Sequence, residues 1–312
     1  CCYPLGDACS VPDASAYSTG VKVVSSAAHL FRKEQAGSDA LAVIGDEATL
    51  RDMKFMLDFQ MVLGVNAFML HGASYSLDGP RKDEVPPSIS YQHSEWPYFS
   101  ELTKHIDETC KALTGGEHIC STAVLYPSTS LYCQADPTFN WFNLPDENKI
   151  HNLVDTLLSS HKDFDFIDEI TLAEKADKNG NLHTPEKYET IILPYLRYID
   201  YKAADALQRC ANNGMKIIAV GYIPEILGSS PDNEISKLNI PSMTFIDSPA
   251  PDAFNCLSGP EITGVGANDI FILQRLKNNK TVAFMVNRAE KLFTGKLNGK
   301  VISITPKGSL LM

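Results

Sequence analysis

The chain lacks most of the short motifs that announce a chemistry outright. None of its eight cysteines stands in a C-x-x-C pair, and no histidine lies at zinc-ligand spacing from another ligand, so no metal is expected. No G-x-S-x-G elbow occurs, which counts against a serine hydrolase. The one glycine-rich run, Gly259 to Gly266, does not join a strand to a helix as a phosphate-binding loop must, and no cofactor is expected. No apolar run approaches the roughly 20 residues of a membrane-spanning helix. Cations are scarce: 27 Lys and Arg against 38 Asp and Glu leave a formal net charge of -11, which speaks against nucleic acid or an anionic membrane as partner. Internal repeats and low-complexity tracts are also missing.

What is present is a chain of 312 residues, 44% hydrophobic, with room for two domains or one domain and an appendage. The scattered cysteines suit a reducing cytoplasm, and Cys110 and Cys210 fall on the apolar faces of predicted helices. The chain opens on Cys1 rather than methionine and is expected to be a processed form or a fragment.

Along the chain, strands and helices alternate. Residues 21–26 read as a short strand or the start of a helix leading to His29. Thr49 and Asp52 make a capping signal for a helix with Met53, Met56, Leu57 and Met61 on its apolar side, and a strand over 65–70 follows. A helix is expected from about Tyr98 to Leu113. A clearer series begins at Cys120. Strands are predicted at 122–127, 164–168, 190–194 and 216–221, with a helix capped by Asp146 and another through Ala203, Leu207 and Cys210. Apolar strands alternating with amphipathic helices imply an α/β fold, and the second series reads as a flavodoxin-like, doubly wound parallel sheet. In the tail, strands flanking Lys277-Asn278-Asn279-Lys280 read as a hairpin, part of a short antiparallel β tail.

The chemistry concentrates after Gly64. The apolar run 65–70 ends in His71 and opens into a long stretch carrying Tyr75, Arg81, Tyr91 and Trp96. A strand that delivers a histidine into a loop of aromatics and an arginine is how α/β barrels build sugar sites; a core strand followed by an irregular, self-packed loop reads equally well. Glycoside hydrolysis needs two carboxylates about 5–9 Å apart. Glu34 and Asp39 are the better candidates, because Asp46 and Glu47 sit where they favour a helix N-terminus. Asp165, Asp168 and Glu169 crowd one strand end, where solvated acids are the favoured reading over a Ca²⁺ or sugar contact.

Ser25-Ser26-Ala27-Ala28-His29, Gly64-Val65-Asn66, the strand ending in His71, Tyr75-Ser76, Gly79-Pro80-Arg81-Lys82, Pro86-Pro87-Ser88, 123–127 and 164–169 occur in an order that resembles a group of large bacterial glycoside hydrolases. The group is similar to the family 106 α-L-rhamnosidases and, more distantly, the family 42 β-galactosidases. The resemblance covers roughly residues 15–290. It implies that residues 1–118 are the C-terminal βα units of a TIM-barrel-like catalytic domain. Residues 119–258 would be a flavodoxin-like domain akin to the β-galactosidase trimerisation domain, and 259–312 a hairpin or partial sandwich. It further implies a carbohydrate substrate with an oligo- or polysaccharide glycosidic bond, Asp39 as residual catalytic carboxylate, and His29, His71, Tyr75, Arg81 and Trp96 as sugar-binding residues. Homo-oligomerisation stays open. The family pattern places a glutamate in a Ser-Glu pair where this chain has Ser38-Asp39. One methylene less withdraws the carboxylate by about 1 Å, a misplacement that can cost about 10²-fold in rate. The other reading is therefore a non-catalytic oligomerisation or carbohydrate-binding module derived from such an enzyme.

Overall fold

The computed structural model describes residues 14–41, 44, 47–71, 78, 91–135, 146–228 and 236–312. They form two compact units. One comprises the described residues up to Ala28, Lys33–Ile119 and Glu261–Met312; the other comprises His29–Arg32 and Cys120–Pro260. Among the described residues, no helix is long and apolar enough to cross a membrane.

The first unit opens with helix α1 (Ala14–Leu30). Its β-branched run at 21–24 suits a strand locally, but Val21, Val24 and Ala28 fall at helical spacing and are buried together, so packing selects the helix. The buried hydroxyls of Ser25 and Ser26 donate back to the Lys22 carbonyl (3.2 and 2.5 Å), satisfying themselves within the helix. Strand β1 (Gly37–Ala40) pairs in parallel with β2 (Ala67–Leu70), separated by α2 (Leu50–Val62). The expected capping box starts α2: Asp52 N donates to Thr49 Oγ1 (3.2 Å) and Thr49 N to Asp52 Oδ2 (3.0 Å). Asn66 ties the two strands' entries together, accepting from Ala36 N (2.9 Å) and donating to Glu34 O (2.9 Å). Helix α3 (Phe99–Leu113) and the two-residue strand β3 (Glu117–His118) follow. Between α2 and α3 lies Asp58, wholly inaccessible, which accepts from His105 Nε2 (2.5 Å) and from Lys54.

The second unit is built on five parallel strands: β4 (Thr122–Leu125), β5 (Asp165–Ile167), β6 (Thr190–Pro194), β8 (Lys216–Val220) and β11 (Thr244–Ile246). Their spatial order, β11-β8-β6-β4-β5, is the flavodoxin-like order, with the direction of winding reversing between β4 and β6. Helices α4 (Ser128–Gln134), α5 (Glu147–Ser159), α6 (Glu169–Lys175) and α7 (Tyr201–Asn212) connect them. Strands β7 (Tyr198–Asp200), β9 (Glu225–Leu227) and β10 (Ser236–Lys237) form a small separate sheet. Ala123, Val124, Leu125, Ile191, Ile192 and Leu193 are all inaccessible, as strands covered on both faces require. Cys210 belongs to this core, and burial pushes its thiol up to about 11, so it packs as a small apolar group.

The chain then returns to the first unit with β12 (Ile262–Thr263), β13 (Ile270–Lys277), β14 (Lys280–Asn287), β15 (Phe293–Leu297), β16 (Lys300–Ile304) and β17 (Ser309–Leu311). Both tight hairpins are written in the sequence. Asn278-Asn279 joins β13 to β14 and Asn298-Gly299 joins β15 to β16, all four residues at positive φ, as a type I′ turn demands. Strand β13 alternates strictly. Ile270 and Ile272 enter a core with Met285, Phe293 and Ile304, while Phe271 stacks on Phe59 of α2 at 5.7 Å. Its far edge carries β3, with Arg275 opposite His118. The α/β class, the parallel βα segment, the flavodoxin-like sheet and the antiparallel tail thus all stand as the sequence implies.

Candidate functional site

At the exit of the β1–β2 pair, Asp39 of β1 lies opposite Met69 of β2. Asp39 is half-buried; its Oδ1 is inaccessible and has no hydrogen-bond partner among the described residues. His71 leaves the end of β2, half-buried, with its backbone N–H donating to Ala40 O (2.8 Å). Two adjacent parallel strands therefore deliver a carboxylate and an imidazole to the same carboxyl end, the end where barrel active sites are built. Glu34 is exposed in the segment before β1. Trp96 stacks on Phe99 (5.2 Å, 18°) and remains 40% exposed. Tyr75 and Arg81 lie outside the described residues.

His29 belongs to the second unit and is buried, its Nδ1 2.9 Å from Asp165 Oδ1. Tyr188 donates to the other oxygen of Asp165 (3.0 Å), and burial together with that carboxylate drives the phenol's pKa well up. The acids at this strand end are not the solvated group the sequence suggests. Asp165 is wholly inaccessible between His29 and Tyr188. Asp168 caps α6 by accepting from Thr171 N (2.8 Å). Glu169 is buried and accepts from Thr129 N (3.2 Å), Thr129 Oγ1 (2.9 Å) and Asp200 N (2.8 Å). Burial raises its pKa against those donors. The partners of Asp165 and Glu169 lie far off in sequence, which is why a local reading leaves these acids in solvent.

A further polar cluster, which no sequence motif reveals, surrounds Asp146. Its helix-capping position holds, but its side chain makes no cap. It accepts instead from Arg197 Nε (2.8 Å) and Lys149 Nζ (2.9 Å), while Tyr222 OH lies 3.2 Å away. Burial alone would raise the Asp146 carboxyl; the hydrogen bonds and charges of Arg197 and Lys149 outweigh it and hold the group below the usual carboxylate range. Lys149 (2.9 Å) and Arg197 Nη2 (2.7 Å) also reach Tyr222 OH, and the Arg197 guanidinium lies 4.1 Å from the centre of the same ring. The nearest sequence signal was the pair of apolar strands β6 and β8, whose carboxyl ends carry Arg197 and Tyr222.

The sequence matches no protein-family model and no curated protein. Solved structures do resemble the fold. A rhamnosidase from Novosphingobium sp. PP1Y aligns over 95% of this chain at 15% identity and a TM-score of 0.67. A β-galactosidase from Rahnella sp. R3 aligns over 99% at 9% identity and 0.62, and one from Bacillus circulans sp. alkalophilus over 96% at 10% and 0.59. The chain covers 32% of the rhamnosidase and 59% and 61% of the two β-galactosidases. At these identities the likeness is one of fold, and the fold is glycoside-hydrolase-like.

Proposed function

We propose that this chain is part of a glycoside hydrolase acting on an oligo- or polysaccharide, related to the family 106 α-L-rhamnosidases, with Asp39 as a catalytic carboxylate. The observation that carries the reading is the buried Oδ1 of Asp39, without a hydrogen-bond partner among the described residues, at the carboxyl end of a parallel strand. An unsatisfied buried acceptor costs about 1–3 kcal/mol, more for a charged group, and is kept where a ligand or reacting group supplies the missing donor. His71, just past the end of the neighbouring strand, offers a donor or acceptor to a sugar hydroxyl, and Trp96 an exposed ring face. Rhamnosidase and β-galactosidase likenesses of fold support the substrate class; the proposed sugar-binding set is His71, Trp96, Tyr75 and Arg81, and His29, buried in the second unit against Asp165, is left out of it.

The test is hydrolysis of aryl α-L-rhamnosides and aryl β-D-galactosides by the full-length protein, with Asp39→Asn beside it. The expected result is turnover lowered by at least about 10²-fold in Asp39→Asn at unchanged circular dichroism. Equal turnover in the two proteins removes Asp39 from the mechanism. The Ser38-Asp39 pair, one methylene short of the family's Ser-Glu, supports a second reading as a non-catalytic oligomerisation or carbohydrate-binding module. Saccharide binding without turnover in the parent protein would favour it.

A further inference from the structure

The carboxyl ends of β6, β8 and β11 meet α5 around a cleft of about 480 Å³, wholly within the second unit. That volume falls in the range of about 300–1,000 Å³ typical of small-molecule sites. Tyr195 follows β6, Gly221 and Tyr222 follow β8, Asp247 and Ser248 follow β11, and Asn152 and Thr156 face them from α5. Open α/β sheets bind ligands outside the carboxyl ends of their strands, the side on which this cleft opens.

We infer that this cleft is a saccharide-binding site. Its walls carry short donors and acceptors, Asn152, Thr156, Asp247 and Ser248, in the mixture that sugar hydroxyls take. The rings of Tyr195 and Tyr222 meet edge to face at 6.0 Å and supply the apolar surface beside them. The cations nearby are already engaged. Lys149 and Arg197 are both bonded to Asp146 and Tyr222, and Asp247 adds a negative charge at the rim. A phosphate or carboxylate would have to break those pairs, whereas a neutral polyol would not. The floor is fixed by backbone: Tyr195 holds φ 48°, and its N–H donates to Val220 O (2.8 Å). A non-glycine residue in that conformation persists only where its surroundings impose it, and such positions concentrate at ligand sites.

The site stands on its own lining, while naming a saccharide as its occupant rests in part on the glycosidase reading. The experiment is titration of the full-length protein with L-rhamnose, D-galactose and disaccharides containing them, followed by the amide shifts of Gly221 and Ser248. The variants are Asn152→Ala with Asp247→Ala, and separately Asp39→Asn. Asn152 and Asp247 are exposed, so their loss leaves the fold intact. The expected result is saturable shifts, at least 10-fold weaker in the Asn152/Asp247 double variant and unchanged in Asp39→Asn, with aryl glycoside turnover by the double variant equal to the parent's. Turnover with no shift at Gly221 or Ser248 overturns the cleft while keeping the glycosidase. Shifts that persist in the double variant, or that inorganic phosphate produces and saccharides do not, overturn it as well.

Discussion

Replacing Gly221 by alanine tests how the floor of the second unit's cleft is held. Gly221 sits at φ 79°, in the left-handed region, and a Cβ there would lie 2.2 Å from Tyr195 Cδ1 and 2.5 Å from Cε1. Two costs combine. The left-handed conformation costs a non-glycine residue roughly 1–2 kcal/mol, and forcing a methyl into packed atoms costs about 1–3 kcal/mol more. Gly214 provides the control, since it holds φ 96° but a Cβ would meet nothing within 4 Å, so Gly214→Ala should cost only the first part. The assay is hydrogen exchange of the slow amides of β6 and β8, which reports the opening free energy of this sheet whatever the rest of the chain does. Gly221→Ala should lower it by about 2–5 kcal/mol, at least about 30-fold in exchange rate, and Gly214→Ala by about 1–2 kcal/mol. In a Tyr195→Ala background the cost of Gly221→Ala should fall to that of Gly214→Ala. Equal costs at the two glycines, or a Gly221 cost that ignores the Tyr195 truncation, would refute the reasoning.

Asp58 is inaccessible and held by Lys54 and His105, so removing His105 leaves a buried carboxylate short of a partner; His105→Ala should cost about 3–5 kcal/mol in urea unfolding, and a loss under 1 kcal/mol would show that Lys54 alone satisfies it. The Asp146 carboxyl, depressed in the folded state, binds fewer protons there than in the unfolded chain, so its contribution is complete above the ordinary value of about 3.9 and is lost as pH falls through the folded one. Asp146→Asn should therefore flatten the fall in urea midpoint below about pH 4, and an unchanged acid limb would contradict this.

Where the physics is local, the sequence is legible. The apolar runs of β4, β6 and β8, the Thr49–Asp52 box and the Asn278-Asn279 turn each carry their signal within a few residues, and each appears as expected. Strand β1 does not announce itself, because Gly-Ser-Asp-Ala has no strand propensity and becomes a strand only by pairing with β2. The run at 21–24 shows the converse, a β-branched stretch that tertiary burial turns into helix. The acids are the sharpest case. Asp165 reads as a solvated acid and Asp146 as a helix cap until His29, Tyr188, Arg197 and Tyr222 arrive from distant parts of the chain, and no window of sequence contains such a meeting.

The pairing of β3 with β13 also orders events during synthesis. The edge made by Glu117 and His118 waits for Arg275 and Leu276, which leave the ribosome only after the whole of Cys120–Pro260. Closing so wide a loop from a disordered chain carries an entropic penalty that grows with its length, whereas a segment already collapsed presents a far shorter gap. The five-stranded parallel sheet, complete by Ile246, is free to form while the first unit still lacks the strands that finish it. The hairpin of β13 and β14 then acts as the closing clasp, and until it arrives the apolar side of α2, with Phe59, has no Phe271 to cover it. Chaperone dependence during translation should accordingly concentrate on the amino-terminal third of the chain.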